Sequence, residues 1–336
     1  MKIALVTGSY PPDLCGVGDY VAKLARALRK EGADTTVFHP RQWDVGSAFA
    51  HARALSCERN LVVHYQYPTV GYGYNLGPQL LAMLKRGVVT IHEFSMAHLL
   101  RKASLLPFCM ASKHVILSSE FERNKIAAAF PGIRSRTEVI PIGSNISPSS
   151  SPRAPRTNAI LYFGMIMPKK GIEEFLLLAK IAQSSLYSAR WLIAGGIPEG
   201  KQEYYANLRA ISSELPVEWY INRSAEEISE LLGSAAACYL PFPEGASERR
   251  GSLKACLASG TPTISKIGRH TTSELSNTII HAARPHDAFA VLVRIMESEA
   301  EWKSWSEKSL VYAKTFDWEV IAKRHLELYR ELKVDS

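Results

Sequence analysis

The chain has 336 residues, 46% of them hydrophobic and 21% charged, an ordinary globular balance with length for about two domains of ~150 residues each. A net charge of +8 fits an anionic partner, whether a phosphorylated ligand, an anionic lipid surface or nucleic acid, and equally a diffuse, merely solvated basic surface. No apolar stretch approaches the ~20 residues of a membrane-spanning helix, and the opening run Met1–Thr7 is too short for the ~7–15 residue core of a signal peptide.

Short apolar runs alternate with helical patterns from end to end, the signature of parallel α/β units. In the first half the candidate strands are Lys2–Thr7, Asp34–Phe38, Leu61–Tyr65, Val88–Ile91, His114–Ser118 and Glu138–Ile140. Between the first two, Val21, Leu24, Ala25 and Leu28 recur at helical spacing opposite Lys23, Arg26, Arg29 and Lys30. The Pro/Ser-rich stretch from Ser147 to Asn158 has no apolar period and reads as a linker. The pattern then restarts with candidate strands Ala159–Phe163, Trp191–Ala194, Val217–Tyr220, Ala237–Leu240 and Thr263–Ser265. Ligands of such sheets bind at the carboxyl ends of the strands, so the loops after each strand carry the chemistry.

The first such loop holds Gly16 and Gly18 just before a helix, where backbone N–H groups can approach an anion. It lacks the third glycine of the dinucleotide fingerprint, and the second strand ends in Phe38-His39 with no acidic residue for a ribose. A tight turn that needs glycine explains the pair as well. After the fourth strand come His92, Glu93 and His98. The two histidines are too far apart for the zincin H-E-x-x-H pattern, and His92, directly at the strand end, is the better functional candidate.

In the second half, Gly164-Met165-Ile166-Met167-Pro168-Lys169-Lys170-Gly171 joins a strand to a helix at 172–182. A lysine between a strand end and a helix start suits a phosphate, although a solvated lysine pair is the alternative. Gly195-Gly196 repeats the strand-then-glycine theme. The richest segment runs from Tyr239 to Pro262. Its polar loop holds Glu244, Glu248, Arg249 and Arg250, and a helix starts near Gly251-Ser252. Helix N-terminal amides there can receive a diphosphate, and a carboxylate can hold ribose hydroxyls. A solvated charged loop before a core helix is the plainer alternative.

Taken in order, these segments resemble the GT-B fold and, within it, glycosyltransferase family 4, over nearly the whole chain. The likeness rests on the first loop, Thr90-Ile-His-Glu-Phe94, Glu138-Val-Ile-Pro-Ile-Gly143, Tyr162-Phe-Gly164 with Lys170-Gly171, Leu192-Ile-Ala-Gly-Gly196 and Ala258-Ser-Gly-Thr-Pro262. The tail Phe316-Asp-Trp318 through Tyr329 looks like the last helix of that family, which crosses back onto the first domain. The resemblance implies an α/β chain of two Rossmann-like parallel-sheet domains facing a central cleft. They would be residues 1–148, joined by a terminal helix at about 312–336, and a donor-binding domain at 149–311.

It further implies a retaining hexosyltransferase of polysaccharide or glycoconjugate biosynthesis. A UDP-sugar, with glucose the first candidate, would be the donor, and a saccharide or lipid-linked saccharide the acceptor. Neither a cofactor nor a metal is implied, and the chain has no D-x-D.

Carried over onto this sequence, Gly16 and Gly18 would line the donor side and His92 would contact the transferred sugar. Lys170 and the amides of Gly251, Ser252 and Leu253 would hold the diphosphate, and Tyr220, Asn222 and Arg223 would approach the base. Gly164, Met167, Gly195 and Gly196 complete the donor contacts. The expected catalytic set is His92, Glu93, Lys170 and Glu248.

Two departures mark a variant subgroup. The arginine usual after the glycine of the phosphate motif is Met165, and the usual glutamate pair falls on Ser247 and Ala255. Glu244 or Glu248 would take the first glutamate's role, and Arg249 or Arg250 would replace the missing cation. Related subgroups also carry an Arg-Arg-Gly-Ser segment before this helix.

Other readings stay open: a non-catalytic sugar-nucleotide-binding protein, which the departures permit, and an NAD-dependent oxidoreductase, which the broken fingerprint weakens. Nucleic acid is disfavoured, because the basic residues form short pairs such as Arg29-Lys30, Lys169-Lys170 and Arg249-Arg250 and no dense stripe. Five scattered cysteines without a C-x-x-C pair (Cys15, Cys57, Cys109, Cys238, Cys256) point to a cytoplasmic setting. The stretch Leu99–Phe108 mixes cations with apolar residues, as peripheral membrane contact at the inner face requires and as ordinary helix packing also allows.

Overall fold

The computed structural model describes residues 1–13, 15–95, 97–148 and 157–334, with side chains to residue 332. Leu14 of the first loop and residues 149–156 of the expected linker lie outside the described residues. The chain divides into two compact units, Met1–Gly143 with Phe316–Ser336, and Ser144–Thr315.

The first unit runs β1 (Lys2–Val6), α1 (Gly16–Lys30), β2 (Asp34–Phe38), α2 (Val45–Ser56), β3 (Leu61–Tyr67), α3 (Gly77–Leu84), β4 (Val88–Ile91), α4 (Leu99–Ser104), α5 (Leu106–Ala111), β5 (His114–Leu117), α6 (Glu120–Ala129) and β6 (Thr137–Val139). The second runs β7 (Ala159–Phe163), α7 (Ile172–Ser184), β8 (Arg190–Gly195), α8 (Gln202–Ile211), β9 (Val217–Ile221), α9 (Ala225–Ser234), β10 (Ala237–Leu240), α10 (Gly251–Ala258), β11 (Thr263–Ser265), α11 (Ser273–Ser276), β12 (Ile280–His281), α12 (Pro285–Glu297) and α13 (Glu299–Ala313). A final helix, α14 (Trp318–Val334), returns to the first unit.

Each unit holds one parallel six-stranded sheet, in the orders β2-β1-β3-β4-β5-β6 and β12-β11-β10-β7-β8-β9. The order reverses between β1 and β3 in the first sheet and between β7 and β10 in the second. A reversal of this kind opens a ligand site outside the carboxyl ends of those strands. The two-residue β12 escapes the sequence reading because so short a run has no periodicity.

Why α1 and α14 form and where they sit follow from their stripes. Val21, Leu24, Ala25 and Leu28 of α1 are buried, Asp19 stands in its first turn, and Arg29 and Lys30 in its last, the arrangement the helix dipole favours. Ile321, Ala322, Leu326 and Tyr329 of α14 are buried in the same cluster as the α1 stripe, Ile3 and Leu5. Each buried leucine, isoleucine or valine among them contributes roughly 1.5–3 kcal/mol by leaving water.

The opposite face of the first sheet is covered by α2, α3, α5 and α6, through Ala48, Leu55, Leu81, Phe108 and Ile126 among others. The unit boundaries differ from the expected division at both ends. Ser229 Oγ donates to the Ser147 carbonyl at 2.9 Å, which holds that segment to the second unit, and α13 continues without a break to Ala313.

One polar pair crosses the buried layer between α14 and the sheet. The Tyr329 hydroxyl lies 2.5 Å from His64 Nδ1, and His64 Nε2 lies 2.7 Å from Thr90 Oγ1; His64 and Tyr329 are fully buried. Tyr329→Phe keeps the ring but leaves a buried imidazole nitrogen without a partner. It should cost about 1–3 kcal/mol, read as an earlier denaturant midpoint for the first unit's unfolding transition at unchanged slope.

Candidate functional site

To one side of the reversal point of the second sheet, the loops after β7, β8 and β9 are stitched together by their backbones. Gly164 N donates to the Ala194 carbonyl (3.0 Å), Ile166 N to that of Gly196 (2.9 Å) and Asn222 N to that of Gly195 (3.0 Å). Asn222 Oδ1 in turn accepts from Ile197 N at 3.3 Å. A side chain at Gly195 would place its Cβ 1.7 Å from the Gly164 carbonyl oxygen, so only glycine allows this approach. Gly164, Gly195, Gly196 and Asn222, singled out separately in the sequence, form one surface. Tyr220 and Arg223 sit at its edge: the Tyr220 hydroxyl donates to Glu218 at 3.0 Å, and Arg223 pairs with Glu227 at 3.3 Å.

The loop after β10 meets the turn after β7. Gly171 packs so closely on Pro241 that a Cβ would fall 2.3 Å from the Pro241 carbonyl oxygen. This brings Lys170 and Arg250 within electrostatic reach of each other. Lys170 is half-buried, and burial, then the Arg250 charge, lower its ammonium below the ordinary lysine value. Arg250 is depressed by burial as well, and Glu244, 3.7 Å away, pulls in the other direction. The guanidinium also lies over the Phe242 ring, 4.8 Å from its centre. Arg250 is the N-cap residue of α10, so the unpaired first-turn amides of Gly251, Ser252 and Leu253 begin beside it. Met167 is half-buried and Arg249 exposed in the same loops.

Glu244 and Glu248 separate clearly. Glu248 Oε1 accepts from the Tyr312 hydroxyl at 2.8 Å and from Thr272 Oγ1 at 3.2 Å, tying the loop to α13 and to the cap of α11. It also faces Lys254, a buried lysine that desolvation lowers to about 8 and that the Glu248 charge supports. Glu244 stays exposed and points at Arg250.

The loop is fixed from behind. Gly245 has φ of +85°, Ala246 N donates to the Lys266 carbonyl (2.8 Å), and Thr271 Oγ1 donates to the Ala246 carbonyl (2.6 Å). Tyr312, Thr271 and Thr272 escaped the sequence reading because they lie far along the chain in segments with no motif. Ser247 and Ala255, where the usual glutamates would stand, are both buried.

In the first unit, Gly16 and Gly18 are the first and third residues of α1 and so belong to the helix, not to a loop before it. Gly18 packs closely on Ser9, whose carbonyl oxygen a Cβ would approach to 3.1 Å; around Gly16 the space is open. His92 Nε2 lies 2.9 Å from Gln66 Oε1, and its ring meets the edge of Tyr20 at 4.8 Å between centres. With Gln66 oriented this way Nε2 carries the proton and Nδ1 is the acceptor. Glu93 is exposed.

The turn beyond it is held by Glu122, a buried carboxylate that accepts from Phe94 N (3.1 Å), Ser95 N (2.9 Å) and Ser95 Oγ (2.6 Å). His98 caps α4, its Nδ1 accepting from Arg101 N at 3.4 Å. Gln66 and Glu122 lie inside an apolar strand and a helix stripe, where no loop signal marks them. Among the described residues no group of three or more His, Cys, Asp or Glu side chains is placed to hold a metal ion.

No protein-family profile matches the chain. Among solved structures it is similar to HepE of Anabaena, in complex with UDP and glucose, at 14% identity and a TM-score of 0.71 over 98% of this chain and 100% of that one. It is likewise similar to a glycosyltransferase of Rickettsia africae, at 14% identity and a TM-score of 0.74 over 100% and 99% of the two chains. The chain has the GT-B fold. In sequence it is 25% identical over 253 residues to a D-inositol 3-phosphate glycosyltransferase of Nocardioides, a match spanning 67% of this chain and 55% of that relative's length. The similarity that the motifs indicate is thus returned by fold and by sequence.

In the first unit, His92 stands with the buried His64 and His325, and all three are held neutral. Burial, then the charge of His325, lowers His92 to about 3. Burial lowers His325 to about 4 and His64 far below the usual value. The unfolded chain takes up these protons near pH 6.5 and the folded one does not, so stability is full above that pH and falls as the pH drops toward 4. Each group adds a slope approaching ~1.4 kcal/mol per pH unit. Chemical denaturation between pH 7 and 5 should show this loss, while the three imidazole NMR signals keep their neutral positions in the folded state; titration near 6.5 would contradict it.

Proposed function

We propose that the protein is a glycosyltransferase that binds a nucleotide-diphosphate sugar at the carboxyl ends of β7 and β10 and transfers its sugar with retention of configuration. The observation that carries this is the pairing of Lys170 with Arg250 beside the free first turn of α10. Two cations that burial disfavours, Lys170 also through the charge of Arg250, are stabilised by a dianion, and helix N-terminal amides complete a diphosphate cradle. Support comes also from the fold, from the Nocardioides glycosyltransferase, and from HepE, which has been solved with UDP-glucose. On this reading the donor is a UDP-sugar, glucose first.

In the transfer, the acceptor hydroxyl attacks the anomeric carbon on the face that the nucleotide leaves, and the departing β-phosphate takes the hydroxyl proton. The protein's part is positioning and charge stabilisation. Lys170, Arg250 and the amides of Gly251–Leu253 meet the negative charge that grows on the diphosphate. His92, neutral and oriented through Gln66, offers Nδ1 to a hydroxyl of the transferred sugar. Glu244 is the carboxylate placed for a ligand hydroxyl; Glu248, engaged by Tyr312 and Thr272, positions the loop. A saccharide or lipid-linked saccharide is the acceptor class.

Lys170→Ala should weaken UDP binding ten- to a hundredfold, since a charge-assisted hydrogen bond contributes roughly 1.5–3 kcal/mol. It should slow transfer at least as much, with the melting curve nearly unchanged. Calorimetry of UDP with wild type and variant tests this, and unchanged affinity would move the phosphate site to Arg249 and Arg250. Glu244→Ala should lower nucleotide-sugar affinity without loss of stability, whereas Glu248→Ala should lower the melting temperature. Because Ser247 and Ala255 replace the usual carboxylates, a non-catalytic binding protein is the second reading. Slow release of UDP from UDP-glucose by wild type, lost in Lys170→Ala, decides for the enzyme.

A further inference from the structure

The outer layer of the first unit carries a feature that nucleotide-sugar chemistry does not use. Helices α2, α3, α4 and α5 contain no aspartate or glutamate, and the chain has none from Phe94 through Ser119. The helices adjoin in sequence of packing, α2 on α3, α3 on α5 and α5 on α4. Their inner sides are buried together through Ala48, Leu81, Leu105 and Phe108. Their outer sides are apolar: Phe49, Met83, Leu99, Leu100, Leu106 and Met110 are all exposed, Leu99 and Leu100 by 83% and 79%. Helix α4 has no buried residue at all. Ordinary helix packing therefore explains Leu105 and Phe108 of the Leu99–Phe108 stretch but not its two leading leucines.

Cations accompany this apolar layer. Arg101 and Lys102 lie on α4, Arg53 on α2, and Arg86, just past α3, donates through Nε to the Ala111 carbonyl at 2.8 Å. The flanking carboxylates are engaged elsewhere: Asp44 caps α2, Glu58 pairs with Lys2, and Glu122 is buried on the amides of Phe94 and Ser95. Glu93 is the exposed exception. Among the described residues no helix is long and apolar enough to cross a membrane. An exposed apolar layer with cations and almost no carboxylate is complementary to a bilayer surface, whose acyl boundary takes the leucines and whose anionic headgroups take the lysines and arginines.

We propose that the outer face of α2–α5 docks on an anionic lipid bilayer, with Leu99 and Leu100 inserted and Arg101 and Lys102 at the headgroups. This binding is independent of the transferase reading, because a chain that bound no nucleotide would still dock. It also gives that reading its acceptor source: α4 begins seven residues after His92, so a lipid-linked saccharide would be presented beside the sugar-contacting side of the first unit.

Vesicle cosedimentation tests it, with phosphatidylcholine alone and with about a third phosphatidylglycerol. The wild type should pellet with the anionic vesicles, and the bound fraction should fall as salt rises to about 0.5 M. Leu99→Glu/Leu100→Glu should abolish pelleting, and Arg101→Gln/Lys102→Gln should weaken it roughly ten- to thirtyfold. Both variants should keep wild-type melting curves and wild-type UDP binding, since these side chains are at the surface and outside the nucleotide site. Failure to pellet, or pelleting untouched by Leu99→Glu/Leu100→Glu, would overturn the proposal. So would a lipid-free dimer that this double variant turns into a monomer, since a second copy would then cover the face.

Discussion

Lys170 and Arg250 are held within electrostatic reach of each other, partly out of water, with exposed Glu244 as the nearby carboxylate. Left alone, this pairing opposes folding, because desolvation and like-charge repulsion both penalise it. It persists because the backbone around it is over-determined. Gly171 abuts Pro241, Gly195 abuts Gly164, and the 244–246 segment is hydrogen-bonded to Lys266 and Thr271 behind it. Strained electrostatics on a rigid frame are what an anion site requires before its ligand arrives. The roles of Glu248 and Tyr312 follow from the same constraint, since they fix the loop that aims Arg250.

The first unit solves a different problem with similar means. Its sugar-side candidate, His92, is useful as a hydrogen-bonding group only if it stays neutral and keeps one tautomer. Burial supplies the first condition and Gln66 the second. Behind them, Tyr20, His325, His64 and Tyr329 form a polar seam between α1, α14 and the sheet. The helix that ends the chain therefore helps to hold a candidate site residue more than two hundred positions earlier. This gives α14 a chemical reason to return to the first unit, beyond the apolar area it covers.

Much of this was legible in the sequence, and the parts that were not share a cause. Strand-then-glycine patterns mark local backbone geometry, so the close approach at Gly164, Gly195 and Gly196 was readable from their own neighbourhoods. The α1 stripe was readable for the same reason. The role of Glu248 was not, because a carboxylate in a polar loop looks the same whether it faces a ligand or a tyrosine sixty-four residues later. Gln66 was hidden inside the apolar pattern that a buried strand needs. Gly16 and Gly18 were placed before the helix because glycine is a poor helix former; tertiary packing against Ser9 outweighs that preference at Gly18.

A nucleotide-sugar site at the carboxyl ends of β7, β8 and β10 would bury the backbone amides of the loops that follow those strands. Hydrogen–deuterium exchange with and without saturating UDP-glucose tests it most directly, because it reports every backbone amide and needs no acceptor. Exchange should slow in residues 164–171, 195–197 and 241–253. Protection confined to other segments, or no protection with UDP-glucose or any other nucleotide sugar, would contradict it.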